Sequence, residues 1–188
     1  MIWLVIGVLL WSALHLLPSA GASLRARAVL HLGQAYQGLF ALGILISIGV
    51  MVFGWRSTPP TAVYSAPDWG HMATNVLTFI ALVLFAASAM ATNLKRIIRH
   101  PQLTGVAAWA LAHLLSNGDA RSLVLFGGLG LWAIVVIVFI NRRDGAWEKP
   151  EPQPMASEWK PLVAGIVTFF VLRLVHPYIA GVPAPTGL

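Results

Sequence analysis

The chain has 188 residues, 58% of them hydrophobic and 10% charged, with no cysteine and a formal charge of +6. Soluble domains carry roughly 45–50% apolar and about 25% charged residues, so a soluble globule and a disordered tail are both excluded. The absence of cysteine excludes a disulfide scaffold and any thiolate ligand or nucleophile. Lys and Arg fall in small clusters between apolar runs rather than along one face, which argues for a membrane and against a nucleic-acid partner.

A membrane crossing needs about 20 mostly apolar residues for ~30 Å of hydrocarbon. In chain order the candidates are residues 2–17, 36–55, 72–91, 103–116, 122–140 and 161–179. The first run has no basic residue before Ile2 and is followed by Arg25 and Arg27, so it reads as a span rather than a signal peptide. The fourth is short and draws its flanks, Pro101 and Asn117-Gly118, into the interface. The expected fold is an all-α bundle of about six transmembrane helices, a single membrane domain over residues 1–188. No internal repeat and no low-complexity tract is evident. Small residues such as Gly38, Gly43, Gly49 and Gly54 suit close helix packing.

Charge sets the expected orientation. Arg25 and Arg27 lie in the first loop, Lys95, Arg96 and Arg99 in the third, and Arg142, Arg143, Lys149 and Lys160 in the fifth. The second and fourth loops hold only Arg56 and Arg121. Odd loops therefore face the cytoplasm and both termini the periplasm. The fifth loop, residues 141–160, holds four of the six acids and three prolines and reads as a solvated cytoplasmic linker within the domain.

Six histidines beside only six acids is the chemical anomaly. An ionisable group inside a span is costly and marks a site by default. His15, His113 and His176 fall inside spans, with Arg173 one turn before His176, whereas His31, His71 and His100 lie at span ends and read as interfacial. Helical rise places His15 about 20 Å from the outer end, and His113 and His176 about 18 Å and 22 Å from the inner edge, a spacing that pairs His113 with His176 slightly better than with His15. His100 precedes His113 by 13 residues, on roughly the opposite helix face and about 19 Å away, and anchors with Lys95, Arg96 and Arg99 at the cytoplasmic surface.

No Asp or Glu lies within a span, so neither a hydrolytic metal site nor a Ser-His-Asp arrangement finds its carboxylate. Haem b needs one or two neutral imidazoles in an apolar, aromatic bundle, and eight Trp and eight Phe can line one. Arg173 suits a haem propionate, or equally snorkels to the outer interface.

Arg99-His100-Pro101-Gln102-Leu103-Thr104-Gly105, followed by Trp109-Ala110-Leu111-Ala112-His113-Leu114-Leu115-Ser116-Asn117-Gly118-Asp119, resembles the NnrU family of bacterial inner-membrane proteins. The likeness extends to the region of His15, to Arg25 and Gly33, and to Phe126-Gly127-Gly128, most of the chain up to about Arg143. The resemblance implies a multi-pass protein of the bacterial inner membrane associated with nitrite and nitric oxide reduction, with other denitrification membrane proteins as partners. The family is also similar to plant zeta-carotene isomerase, a membrane haem b enzyme. That likeness implies His113 and His15 as the axial ligands of the haem iron and isomerase-like redox chemistry. The Arg-His-Pro-x-x-x-Gly stretch is similar as well to membrane methyltransferases that hold S-adenosylmethionine at the cytoplasmic surface, although their C-terminal acidic and aromatic motifs have no counterpart here. Independently of that likeness, Arg99, His100, Pro101, Gly105, Asn117 and Asp119 are expected to form a surface motif, with Arg99, His100 and Pro101 on the cytoplasmic side. A third reading is a non-enzymatic assembly or sensor protein for nitric oxide metabolism.

Overall fold

The computed structural model describes residues 1–185, and every extended element among them is helical. Five stretches are long and apolar enough to cross a membrane. They are Ile2–Ala20 (α1), Ala35–Ser57 (α3), Gly70–Ala89 (α4), Ala120–Asp144 (α6) and Met155–Ala180, whose last 22 residues, Trp159–Ala180, are the α-helix α7. The expected fourth span is the helix Pro101–Ser116 (α5), whose 16 residues rise only about 24 Å. One segment expected as loop is helical, Ala22–Leu32 (α2), which carries Arg25 and Arg27 and has no buried residue. Leu9, Leu45, Leu131 and Leu174 stand out from their helices 62% to 75% exposed, a surface that hydrocarbon accommodates and water does not.

The helices group into two compact units. The first comprises residues 1–64 and 119–145, the second residues 65–118 and the described part of 146–188. In the first, α1 packs on α3 and on α6. The α1–α3 contact is backbone on backbone, because a β-carbon at Gly54 would overlap the Leu4 backbone and one at Gly7 would stand 2.6 Å from Met51 Cγ. Leu4, Val8 and Met51 form the buried centre, with Trp11, Trp55, Val124 and Leu125 packed against it. Asp119 caps α6 by accepting from the Ser122 amide at 3.1 Å and hydroxyl at 2.7 Å. The helix then passes through a π-turn at Leu123–Gly127. A π-turn takes one residue more than an α-turn, which rotates everything after it, Trp132 included, by about 100°.

In the second unit α4 packs on both α5 and α7. Thr74 of α4 donates to the Ala112 carbonyl of α5 at 2.6 Å, a bond between helices in an apolar setting. At the opposite end of α4 the 3-10 turn Asn93–Arg96 holds the Pro-rich segment before α7. Asn93 Nδ2 donates to the Gln153 carbonyl at 2.8 Å while its Oδ1 accepts from the Gln153 amide at 2.9 Å. Glu158 accepts from the Thr92 hydroxyl and from the Asn93 amide. The expected solvated linker is thus tied down at its C-terminal half.

Candidate functional site

Each unit holds one histidine built to the same local plan. On α1, His15 Nδ1 lies 3.0 Å from the carbonyl oxygen of Trp11, and the indole stacks on the imidazole with ring centroids 4.0 Å apart. On α5, His113 Nδ1 lies 2.9 Å from the carbonyl oxygen of Trp109, with centroids 4.8 Å apart. A carbonyl only accepts, so Nδ1 carries the proton in both, and in the neutral ring Nε2 holds the lone pair. Residues 11–17 and 109–115 share Trp-x-x-x-His-Leu-Leu. The four-residue spacing puts ring above ring on one helix face. This recurrence is too short to look like a repeat, yet it marks both sites in the sequence.

Around His15 the walls are aromatic. Trp132 of α6 meets its ring edge-on at 5.3 Å and Phe40 of α3 at 6.2 Å, with Tyr36 stacked on Phe40 at 6.0 Å. Among the described residues, Trp11 Nε1, Tyr36 Oη and Trp132 Nε1 are buried with no hydrogen-bond partner. Two of these donors, on Trp11 and Trp132, belong to the indoles that touch His15, and the third lies on the ring stacked behind Phe40, an unusual local shortage of acceptors.

In the second unit a cavity of about 210 Å³ lies where α4 begins, α5 ends and the chain leaves α7. His71, His113 and His176 all line it, together with Thr74, Ser116 and Asn117. His71 Nδ1 is 3.2 Å from Ser116 Oγ, which is 2.5 Å from Thr74 Oγ1. The Thr74 hydroxyl also reaches the Gly70 carbonyl at 2.8 Å, so His71, Ser116 and Thr74 form one hydrogen-bonded chain that ends on backbone carbonyls. His176 Nδ1–H donates to the Val182 carbonyl at 2.7 Å. His113 and His176 therefore have Nδ1 engaged as donor to a carbonyl, and their neutral forms keep the lone pair on Nε2.

His71, read from sequence as interfacial, is the third wall of this cavity. Its signal was Thr74, one turn on along the same helix face. His113 lies three residues from the end of α5 and His176 four from the end of α7. They occupy helix ends rather than the middle of the helices, since α5 stops at Ser116 and α7 at Ala180. His15 belongs to the other unit. Arg173 donates from Nη1 to Asn75 Oδ1 at 2.9 Å, with its guanidinium 5.5 Å from the Phe169 ring centroid.

The motif residues serve the scaffold. His100 is the N-cap of α5 and Pro101 its first residue, where a missing amide proton costs nothing, with Arg99 just before. His100 and His113 thus sit at opposite ends of one helix. A β-carbon at Gly105 would lie 3.0 Å from the Ala81 carbonyl, so glycine lets α5 touch α4. Asn117 Nδ2 donates to the His113 carbonyl at 2.9 Å and closes the helix end, while Asp119 caps α6 and stands 3.6 Å from the Arg121 guanidinium.

Among the described residues no three His, Cys, Asp or Glu side chains converge as a metal-ion ligand set. What the chain offers is an oriented imidazole among aromatic rings at His15 and, in the second unit, three imidazoles lining one cavity, with His113 against Trp109. That donor chemistry fits the axial ligands of a haem iron, although the cavity alone would enclose only part of a porphyrin. No curated protein and no solved structure matches the chain. A family model described as NnrU protein matches residues 3–184 and takes in both Trp-His modules and the motif between Arg99 and Asp119. This multi-pass membrane protein belongs to the NnrU family, which is linked to denitrification.

Proposed function

We propose that this is a six-span protein of the bacterial inner membrane that binds haem b, with His113 and His15 as iron ligands and Arg173 beside a propionate. It acts in nitrite or nitric oxide metabolism or in isomerase-like redox chemistry, in the bilayer and alongside other denitrification membrane proteins. The observation that carries this reading is the twin module, in which a tryptophan carbonyl four residues back takes the Nδ1 proton of His15 and of His113. Such a bond fixes the tautomer and ring angle and raises the basicity of Nε2, as outer partners of metal-bound histidines do. When bound, haem would supply a redox-active iron that exchanges electrons or polarises a ligand. The chain's own work is to orient the two rings and to wall them with indoles. It also offers a bound group the donors of Trp11, Tyr36 and Trp132, which the described residues leave unanswered.

Oxidised and reduced absorption spectra of protein expressed with ample haem test the reading. A Soret band with b-type α and β bands is expected at one haem per chain, and its absence overturns haem binding. His113→Ala is expected to abolish or shift the spectrum, and His100→Ala, at the far end of α5, to leave it intact. Conversion from six- to five-coordinate iron in His15→Ala supports His15 as the second ligand. The same change in His176→Ala, with His15→Ala silent, moves the assignment to the histidine that shares the cavity.

A further inference from the structure

We propose that residues 181–185 are a strap that closes the cavity of the second unit and controls passage of small polar solutes to His113. Gly181 has φ +78, a left-handed conformation that ends α7 and turns the chain back. The returning segment supplies Val182, Pro183 and Pro185 to the cavity wall. Among the described residues, hydrogen bonds from His176 and Asn75 reach it. The Val182 carbonyl accepts from His176 Nδ1 at 2.7 Å, and the Pro185 carbonyl accepts from Asn75 Nδ2 at 3.5 Å, the outer limit for such a bond.

The other walls are helix ends. Thr74 and Ser116 are bonded to each other, and Asn117 is bonded to the helix it closes. The strap is held more lightly, since its two prolines bring no amide protons and Val182 is 56% exposed. A segment with few bonds and little buried apolar surface opens at low free-energy cost. Its opening therefore widens access to the half-buried Ser116 and His113, beside the already exposed His71, without disturbing the helices. Closure rests on these contacts; the consequence that a solute must pass the strap to reach a working imidazole rests on the reading of His113 as a ligand-bearing residue.

The chain has no cysteine, so Ser116→Cys places a single thiol on the cavity wall. Maleimide labelling of the purified full chain is expected to be slow with the strap intact. It is expected to be about tenfold faster or more with Gly181→Val, which strains the left-handed turn, and in a chain ending at Gly181, because labelling follows the population of the open form. A thiol at exposed Val63 is the control and labels at one rate in all three backgrounds. Should Ser116→Cys not fold, Thr74→Cys carries the same comparison from a buried position on another wall. Equal labelling rates at the cavity thiol with and without the strap overturn the proposal. A missing Soret band does not alter this comparison, and equal labelling does not alter the spectrum, so each reading can fail alone.

Discussion

A helix places residue i+4 almost directly over residue i, and the chain uses that geometry twice to hold an imidazole by its own backbone. Nothing but a tryptophan carbonyl and a ring face is needed, so each imidazole can be preorganised within a single helix. The same residue-scale economy governs packing. Gly54 and Gly49 lie on one helix, yet a β-carbon at Gly54 meets the Leu4 backbone and one at Gly49 meets open space. Gly54→Ala is expected to destabilise by about 1–3 kcal/mol through overpacking. Gly49→Ala is expected to be neutral or to stabilise by up to about 1 kcal/mol, since alanine loses less backbone entropy in a helix. Thermal unfolding of the purified variants in detergent checks both, and equal losses would refute the assignment of Gly54 to the α1–α3 contact.

Among the elements, the segments between helices depart most from a simple up-and-down bundle. The loop after α1 is itself the helix α2, and α6 opens with a cap, a π-turn and then the α-helix that carries Trp132 to His15. The Pro-rich segment before α7 is tied to Asn93 by a two-way amide contact and to Thr92 and Asn93 by Glu158. Asn93→Ala removes both amide bonds, each worth about 1 kcal/mol. Limited proteolysis within residues 145–154 is therefore expected to speed up several-fold while the helices stay intact. An unchanged cleavage rate would mean that the contact does not restrain the segment.

For the molecule as a whole, basic residues crowd the odd-numbered loops of a six-span reading, and α5 is the element on which that count turns. If α5 crosses, its two ends face opposite compartments. A periplasmic reporter fused after Arg99 is expected to be inactive and one fused after Gly118 active. The reverse pattern would invert the orientation, and equal activity at both points would remove α5 from the spans. At about 24 Å it crosses only with help from its flanks, Thr92 to His100 on one side and Asn117-Gly118 on the other.

Sequence by itself determined the helical class, the apolar runs and the family resemblance, because span length and charge distribution answer to the bilayer and not to any particular neighbour. It also singled out His15, His113, Arg173 and His176, since an ionisable side chain in an apolar run is conspicuous wherever the run packs. Helix ends were unevenly legible: α1 continues past the expected Leu17 through Pro18 to Ala20, whereas α5 stops at Ser116 as expected, where Asn117 turns back onto the His113 carbonyl. Only the tertiary structure decided which histidines share a cavity. His71 joins His113 and His176 through Ser116 and Thr74, contacts that span 45 and 42 positions of sequence and carry no local pattern. The same holds for the strap and for Arg173, whose side chain goes to Asn75, 98 positions away, because a polar group in an apolar setting takes the partner that packing brings to it.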